Sequence, residues 1–448
     1  MLRMIAMQGS WRVSPSRVLT TMWTVSLAVV FFTNLDAFVY HATGLWYTRP
    51  VYWTLTALLI SLPLLAKQFD QAMPLLRSPI GLWSIGFLAL SALHLALFQR
   101  SPAATAVMFQ HMHFVVLFWL FILVFNAARR EAIIALAACT MGVALLNWLE
   151  FFHPLATNAF DCRAVGTYLN PNGAAYALVF GMLAGLHAVP DRAKPWFVTA
   201  VGISILPTYS RSGMVIYAVA VLVLLASGMV NWRRLMLPAL AGTVATALLF
   251  SLALMNVGGR HDCVSHSIGD REKVIFALHT DRDSDKSNLR NQERINQNSD
   301  KPDFSTQERN SDKSNLRNQE HINQNSDEPD FSTQERIVLL RNALSEYGKN
   351  WVFGQGLGVT WTWDGGQRTH NIYLEKGIEM GAIGLLLWPA FLFLIMLSSH
   401  GRSRKLAWAL LSSGLVLGLF SHNLFESRQI LIVAALLLVT SADKSTTR

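Results

Sequence analysis

The densest run of reactive side chains in this 448-residue sequence is RTHNIYLEKGIEMGAIG, from Arg368 to Gly384, with His370 at its centre. An imidazole changes charge near neutral pH, so at the mouth of an apolar segment it suits a general base that takes a proton from a hydroxyl attacking an anomeric carbon. A histidine that only packs at such an edge fits the same position. Arg211 in YSRSG and Arg163 in CRAVGTYLNPNG also stand at the ends of apolar runs. A guanidinium drawn toward hydrocarbon is costly, so it snorkels to the surface or finds an anion. Pyrophosphate is one such anion, because arginine makes bidentate, charge-assisted bonds to phosphate oxygens and keeps its proton. A lipid headgroup is another.

Glu375 and Glu379 are four residues apart and therefore share a helix face near His370, where capping and solvation explain them as well as acid–base work does. His111 and His113 are two apart, which on a helix turns them away from each other and makes poor metal geometry, so core or pore-lining histidines are expected. The sequence has no HExxH or paired CxxC, and the expectation is a reaction without metal or cofactor.

The elements that hold these residues must be membrane helices. The chain is 52% hydrophobic and 15% charged, with a mean hydropathy of +0.33, a balance too apolar for an ordinary soluble protein. Apolar runs near the roughly 20 residues needed to cross a bilayer recur at 18–40, 51–66, 80–98, 106–128, 132–150, 173–189, 196–209, 213–230, 235–256, 379–399, 406–422 and 429–441. The expected fold is therefore all-α and polytopic, with about twelve transmembrane helices in blocks 1–256 and 379–448, separated by an outer loop at 257–378 between the ninth and tenth helices. The basic segment from Met1 to Arg17 has no small-residue cleavage site and precedes a long first span, which reads as a retained anchor.

The net charge of +9 follows topology and gives no basic nucleic-acid arm. Loops on one side carry sixteen Lys and Arg, whereas the short loops on the other side carry one each: Arg49, Arg100, Arg163, Arg211 and Arg428. The positive-inside rule puts both termini in the cytoplasm. Segment 257–378 then lies outside, with sixteen basic and nineteen acidic residues. Cys162 and Cys263 fall on that side, where a bridge between them and two free thiols are both compatible with the sequence.

Within the outer loop, 284–309 and 311–336 repeat at a period of 27 and differ only at Arg294 versus His321 and Lys301 versus Glu328. Their near-total lack of apolar residues predicts disorder. Order is expected to resume at Arg336, because Ile337, Leu340 and Leu344 mark one face of a short amphipathic helix ending near Tyr347 and Gly348. Arg336 is thus the ordered cation and Arg309 its solvated duplicate. Gly354, Gly356 and Gly358 permit tight turns in WVFGQGLG, and Trp361 and Trp363 suit a membrane interface or a sugar-stacking surface.

Taken together these motifs resemble the O-antigen ligases, with the related O-antigen and exopolysaccharide polymerases and protein O-oligosaccharyltransferases. His370 and Asn371, nine residues, Gly381 and then Gly384 fit the ligase pattern H-[NSQ]-x9-G-x-x-[GTY]. Arg163 before GTYLNPN, SRSG around Arg211, and Arg336 ahead of GQGLG resemble the family's other marks in order, and the likeness spans roughly 150–430. The duplicated insert departs from the family's core. The resemblance implies an inverting, metal-free glycosyltransferase of the inner membrane, with His370 as base. Arg211 and Arg336 would hold a polyprenyl diphosphate, and Arg163, Asn371, Tyr373, Arg368 and Arg428 would contact substrate. Its implied partners are a polyprenyl-diphosphate-linked glycan donor, a lipid A-core or other glycan acceptor, and membrane lipids, with no nucleic acid. A polymerase using the same donor is the nearest alternative; a flippase or transporter would call for mid-span charges or two similar halves, which the sequence lacks.

Overall fold

A computed structural model describes residues 14–98, 101–153, 163–256, 331–363 and 369–441. Cys162, Cys263, Arg368 and the duplicated segment lie outside the described residues, apart from the backbone of its last six positions. One compact unit comprises Met1–Ala253 and Arg336–Arg448, and a second comprises Leu254–Glu335. Among the described residues the regular structure is helical throughout, without strands.

The helices are α1 (Pro15–Phe32), α2 (Leu35–Thr43), α3 (Pro50–Leu76), α4 (Pro79–Leu97), α5 (Pro102–Ala127), α6 (Arg129–Phe152), α7 (Pro171–Gly185), α8 (Lys194–Ile205), α9 (Arg211–Ala226), α10 (Trp232–Asn256), α11 (Phe331–Lys349), α12 (Ile372–Ser398), α13 (Gly401–Gly418) and α14 (Arg428–Ser441). A repeated Ser-Pro or Asn-Pro dipeptide starts several of them. The side chains of Ser14, Ser78, Ser101 and Asn170 each accept a first-turn N–H, and the proline that follows is preset for the first helical position.

Every apolar run read from the sequence contains helix, and α1, α3, α4, α5, α6 and α12 hold stretches long and apolar enough to cross a membrane. The run at 18–40 is not one helix, however. It breaks into α1 and α2 at Asn34, whose φ of 57° lies in the left-handed region that asparagine tolerates better than most residues. The run at 196–209 likewise ends in a tight 3-10 turn, Leu206–Thr208, ahead of α9.

α7 and α14 form the centre of the bundle. Nearly every residue of both is buried, as expected for helices that are apolar on all sides. The outer helices instead turn leucines outward: Leu59, Leu97 and Leu240 are each about two-thirds exposed, as a lipid-facing surface requires. His111 is buried and His113 half-buried, with different partners, His111 Nδ1 lying 2.9 Å from Ser91 Oγ and His113 Nε2 2.9 Å from Thr54 Oγ1.

The amphipathic helix expected from Ile337, Leu340 and Leu344 exists but is longer, α11, and packs by another face. Leu340 and Leu344 are 45% and 52% exposed, while Ala343 is sealed against Leu374 and Ile378 with Tyr347 and Trp363 alongside. Apolar spacing located the helix, and its closest packing falls on Ala343, whose small side chain lets the neighbouring helix approach.

Candidate active site

The backbone on either side of His370 is pinned while its side chain is exposed. Buried Thr369 donates to the Asn371 carbonyl at 3.1 Å, and Asn371 Oδ1 accepts from the N–H groups of Tyr373 and Leu374 at 3.0 and 3.2 Å. Asn371 is thus the N-cap of α12. The imidazole lies 5.2 Å, centroid to centroid, from the ring of His422 at an interplanar angle of 57°. Tyr373 donates its hydroxyl to the Leu415 carbonyl at 2.7 Å and packs against Gly418, tying this helix start to the end of α13.

The first arm of α12 runs only from 372 to 380. At Gly381 the backbone takes φ 68° and ψ −155°, a region open to glycine alone, and the chain turns sharply. A side chain at 381 would lie 2.0 Å from the Val352 carbonyl oxygen, and one at 384 would lie 1.9 Å from that of Lys376. In a straight helix residues 376 and 384 would be about 12 Å apart; the turn lays the second arm across the first. The long helical arm within the run expected at 379–399 accordingly begins after Gly381.

A broken helix exposes its last carbonyls, and the glycine-rich loop satisfies them here. Gln355 N–H donates to the Ile378 carbonyl at 2.7 Å and Gly356 N–H to that of Glu379 at 3.0 Å. Positive φ at Gly354, Gly356 and Gly358 allows this close wrapping. The Glu379 carboxylate completes the joint by accepting from Gly358 N–H at 3.0 Å and Thr360 Oγ1 at 3.4 Å, and from Lys376 Nζ at 2.7 Å. Lys376 also lies 3.4 Å from Glu375. All three charged residues are at most 4% exposed, so Glu375 and Glu379 form a sealed structural cluster, in place of the solvated or capping roles open to them in the sequence.

A second construction presents Arg211. Ser210 Oγ caps α9 by accepting from Gly213 N–H at 3.0 Å, and it donates to Asn172 Oδ1 at 2.8 Å. The preceding turn is held by Arg163, whose guanidinium donates to the Thr208 and Tyr209 carbonyls at 3.0 and 3.4 Å, and by Ala164 N–H on the Pro207 carbonyl at 2.9 Å. Buried Glu150 in turn accepts from Val165 and Gly166 N–H at 2.8 and 2.6 Å. Glu150→Ala would strand two buried donors and should lower stability by about 2 kcal/mol, read as a lower unfolding midpoint in detergent. An unchanged midpoint would mean the segment finds other acceptors.

Ser413 Oγ donates to the Ile216 carbonyl at 3.4 Å, so the end of α13 lies beside the start of α9. His370, Asn371, Tyr373, Arg163 and Arg211 therefore gather at one end of the bundle. Arg428, at the start of α14, is buried and paired with Asp36; it also reaches Asn34 Oδ1 at 3.4 Å and sits 5.5 Å over the Phe31 ring. The α11 backbone carries position 336 two turns before Ala343.

Residues 196–389 match the family model for O-antigen ligase. The chain carries an O-antigen ligase family domain. Together with the six helices long and apolar enough to cross a membrane, this match is that of a multi-pass membrane protein with a segment similar to the O-antigen ligases. No curated protein matches the sequence. The family segment takes in Arg211, Arg336, His370, Gly381 and Gly384, and leaves Arg163 and Arg428 outside. Sequence reasoning missed Lys376, Glu150 and His422 as partners. For His422 a signal was present, since Ser421-His422-Asn423 echoes Thr369-His370-Asn371.

Proposed function

We propose that this chain transfers a glycan from a polyprenyl diphosphate carrier to a sugar hydroxyl of lipid A-core at the periplasmic face, with twelve spans and both termini in the cytoplasm. The supporting observation is the exposed His370 imidazole, held between two pinned neighbours at the same end of the bundle as the capped turn bearing Arg211. In this reading neutral His370 takes the proton of the acceptor hydroxyl as its oxygen attacks the anomeric carbon. The bond to the diphosphate breaks on the opposite side, which inverts the centre, and the electron pair leaves on the lipid diphosphate. Arg211 and Arg336 neutralise that leaving group without a metal, while Arg163 fixes the turn presenting Arg211. Asn371 and Tyr373 register the helix start, Arg368 joins the substrate contacts from the neighbouring loop, and Arg428 with Asp36 frames the site's edge.

Arg211→Lys should cut kcat/KM for transfer by about tenfold or more, because a point charge does not reproduce the two-pronged contact. Wild-type activity there would make Arg211 a headgroup anchor. A deletion strain separates the related readings: unattached glycans of normal length mark a ligase, and single repeat units a polymerase.

A further inference from the structure

At the end of the bundle away from His370 lies an open cavity of about 440 Å³ lined by Asp191, Lys194, Asn231, Arg234, Arg402 and Lys405, together with Gly228 and Met229. Its position follows from chain direction. Arg211 opens α9 whereas Gly228 and Met229 follow its other end, about 24 Å away for sixteen residues. Similarly, α13 reaches the Tyr373 contact at Leu415 but begins beside the cavity with Arg402 and Lys405.

Four cations and one carboxylate meet in this space. Asp191 makes ion pairs with Lys194 and, at 3.2 Å, with Arg402, and the hydrogen bond from Lys194 holds its carboxyl below the ordinary range, so it remains ionised. Arg402 also donates to the Leu186 carbonyl at 3.4 Å. One acid does not neutralise four bases, and the cavity retains a formal charge of three. The lysine beside it is 4% exposed, so part of this charge is fixed within the protein wall. The starts of α8, α10 and α13 all border the cavity, and neither α8 nor α13 has a side chain capping its first N–H groups. The uncapped starts of α8 and α13 add positive potential to that of the side chains. No part of the transfer chemistry proposed for the His370 end uses this cluster.

We infer that this cavity is a binding site for a phosphate-bearing anion, supplied either by the headgroup of an anionic phospholipid or by a free polyphosphate. Its volume exceeds that of one phosphate and admits a glycerophosphate or a pyrophosphate, and the guanidinium group of Arg234 provides the forked donors that phosphate oxygens take. Basic pockets between membrane helices commonly hold anionic headgroups in this way.

The test uses the full chain in nanodiscs of phosphatidylcholine doped with phosphatidylglycerol or cardiolipin, with lipid retention read by native mass spectrometry. In a second arm, nanodiscs of phosphatidylcholine alone are titrated with inorganic pyrophosphate and followed by isothermal calorimetry. Arg234→Gln/Lys405→Gln should weaken binding about 25-fold, at roughly fivefold per cation. Arg233→Gln/Arg404→Gln removes two cations beside the cavity but outside its wall, and should leave saturable binding nearly unchanged. Retention of anionic lipid alone assigns the site to a headgroup; pyrophosphate binding alone assigns it to a soluble anion. Absence of saturable binding in both arms, or equal losses in the two double variants, would overturn the inference. Since neither substitution touches the His370 end, failure here leaves the proposed transfer reaction intact.

Discussion

His370→Ala should lower the rate of glycan transfer by about 10²- to 10⁴-fold, the usual contribution of a positioned general base. It should do so without loss of folded protein, because the imidazole is exposed and the neighbouring backbone is fixed by Thr369 and Asn371 through bonds that do not involve it. The measurement is single-turnover transfer with purified protein, checked by gel filtration and by the unfolding midpoint. An unchanged midpoint with slowed turnover is the expected pair of results. His370→Ala turning over at the wild-type rate would remove the base from the mechanism. Because the His422 ring lies tilted beside that of His370, 5.2 Å away between centroids, it is the residue to examine next in that event.

Lys376→Ala should act in the opposite way, on stability first. The ammonium bonds Glu379 at 2.7 Å and lies 3.4 Å from Glu375, and none of the three is more than 4% exposed. Removing one member of such a buried set costs about 3–5 kcal/mol, chiefly because it leaves carboxylates without their counter-charge. The expected consequence is a large fall in the unfolding midpoint in detergent. Neutralising the whole set with Glu375→Gln/Lys376→Met/Glu379→Gln should recover much of it, since the side-chain amide introduced at position 379 would keep an oxygen for Gly358 N–H and Thr360. A triple variant no more stable than Lys376→Ala would show that charge balance is not what the cluster supplies. A Lys376→Ala midpoint equal to the wild type would show that the cluster is solvated.

The architecture was legible where physics acts locally. Apolar runs located the helices, and Ser-Pro and Asn-Pro dipeptides mark starts such as those of α4, α5 and α7. The motif around His370 was legible as spacing, and the structure gives that spacing a physical meaning. Asn371 caps a nine-residue helix, Gly381 ends it in a conformation closed to other residues, and Gly384 lies where the two arms touch. What escaped the sequence was partnership across distance. Lys376 reads as one more charge on a helix until the turn at Gly381 seals it between two glutamates, and no local pattern joins Asp36 to Arg428, 392 positions away. The packing face of α11 has the same origin. Leu340 and Leu344 are the more apolar residues, yet close helix approach selected Ala343.

The most direct measurement follows the bond that is proposed to break. Purified chain is incubated with a radiolabelled polyprenyl-diphosphate-linked glycan and a lipid A-core acceptor in the presence of a metal chelator, and both the freed lipid diphosphate and the glycosylated acceptor are quantified. Equal amounts of the two, with the configuration of the new glycosidic bond opposite to that of the donor, are expected. Donor that stays intact in the presence of folded protein, or that crosses the bilayer with its glycan still attached, would contradict glycan transfer at this site.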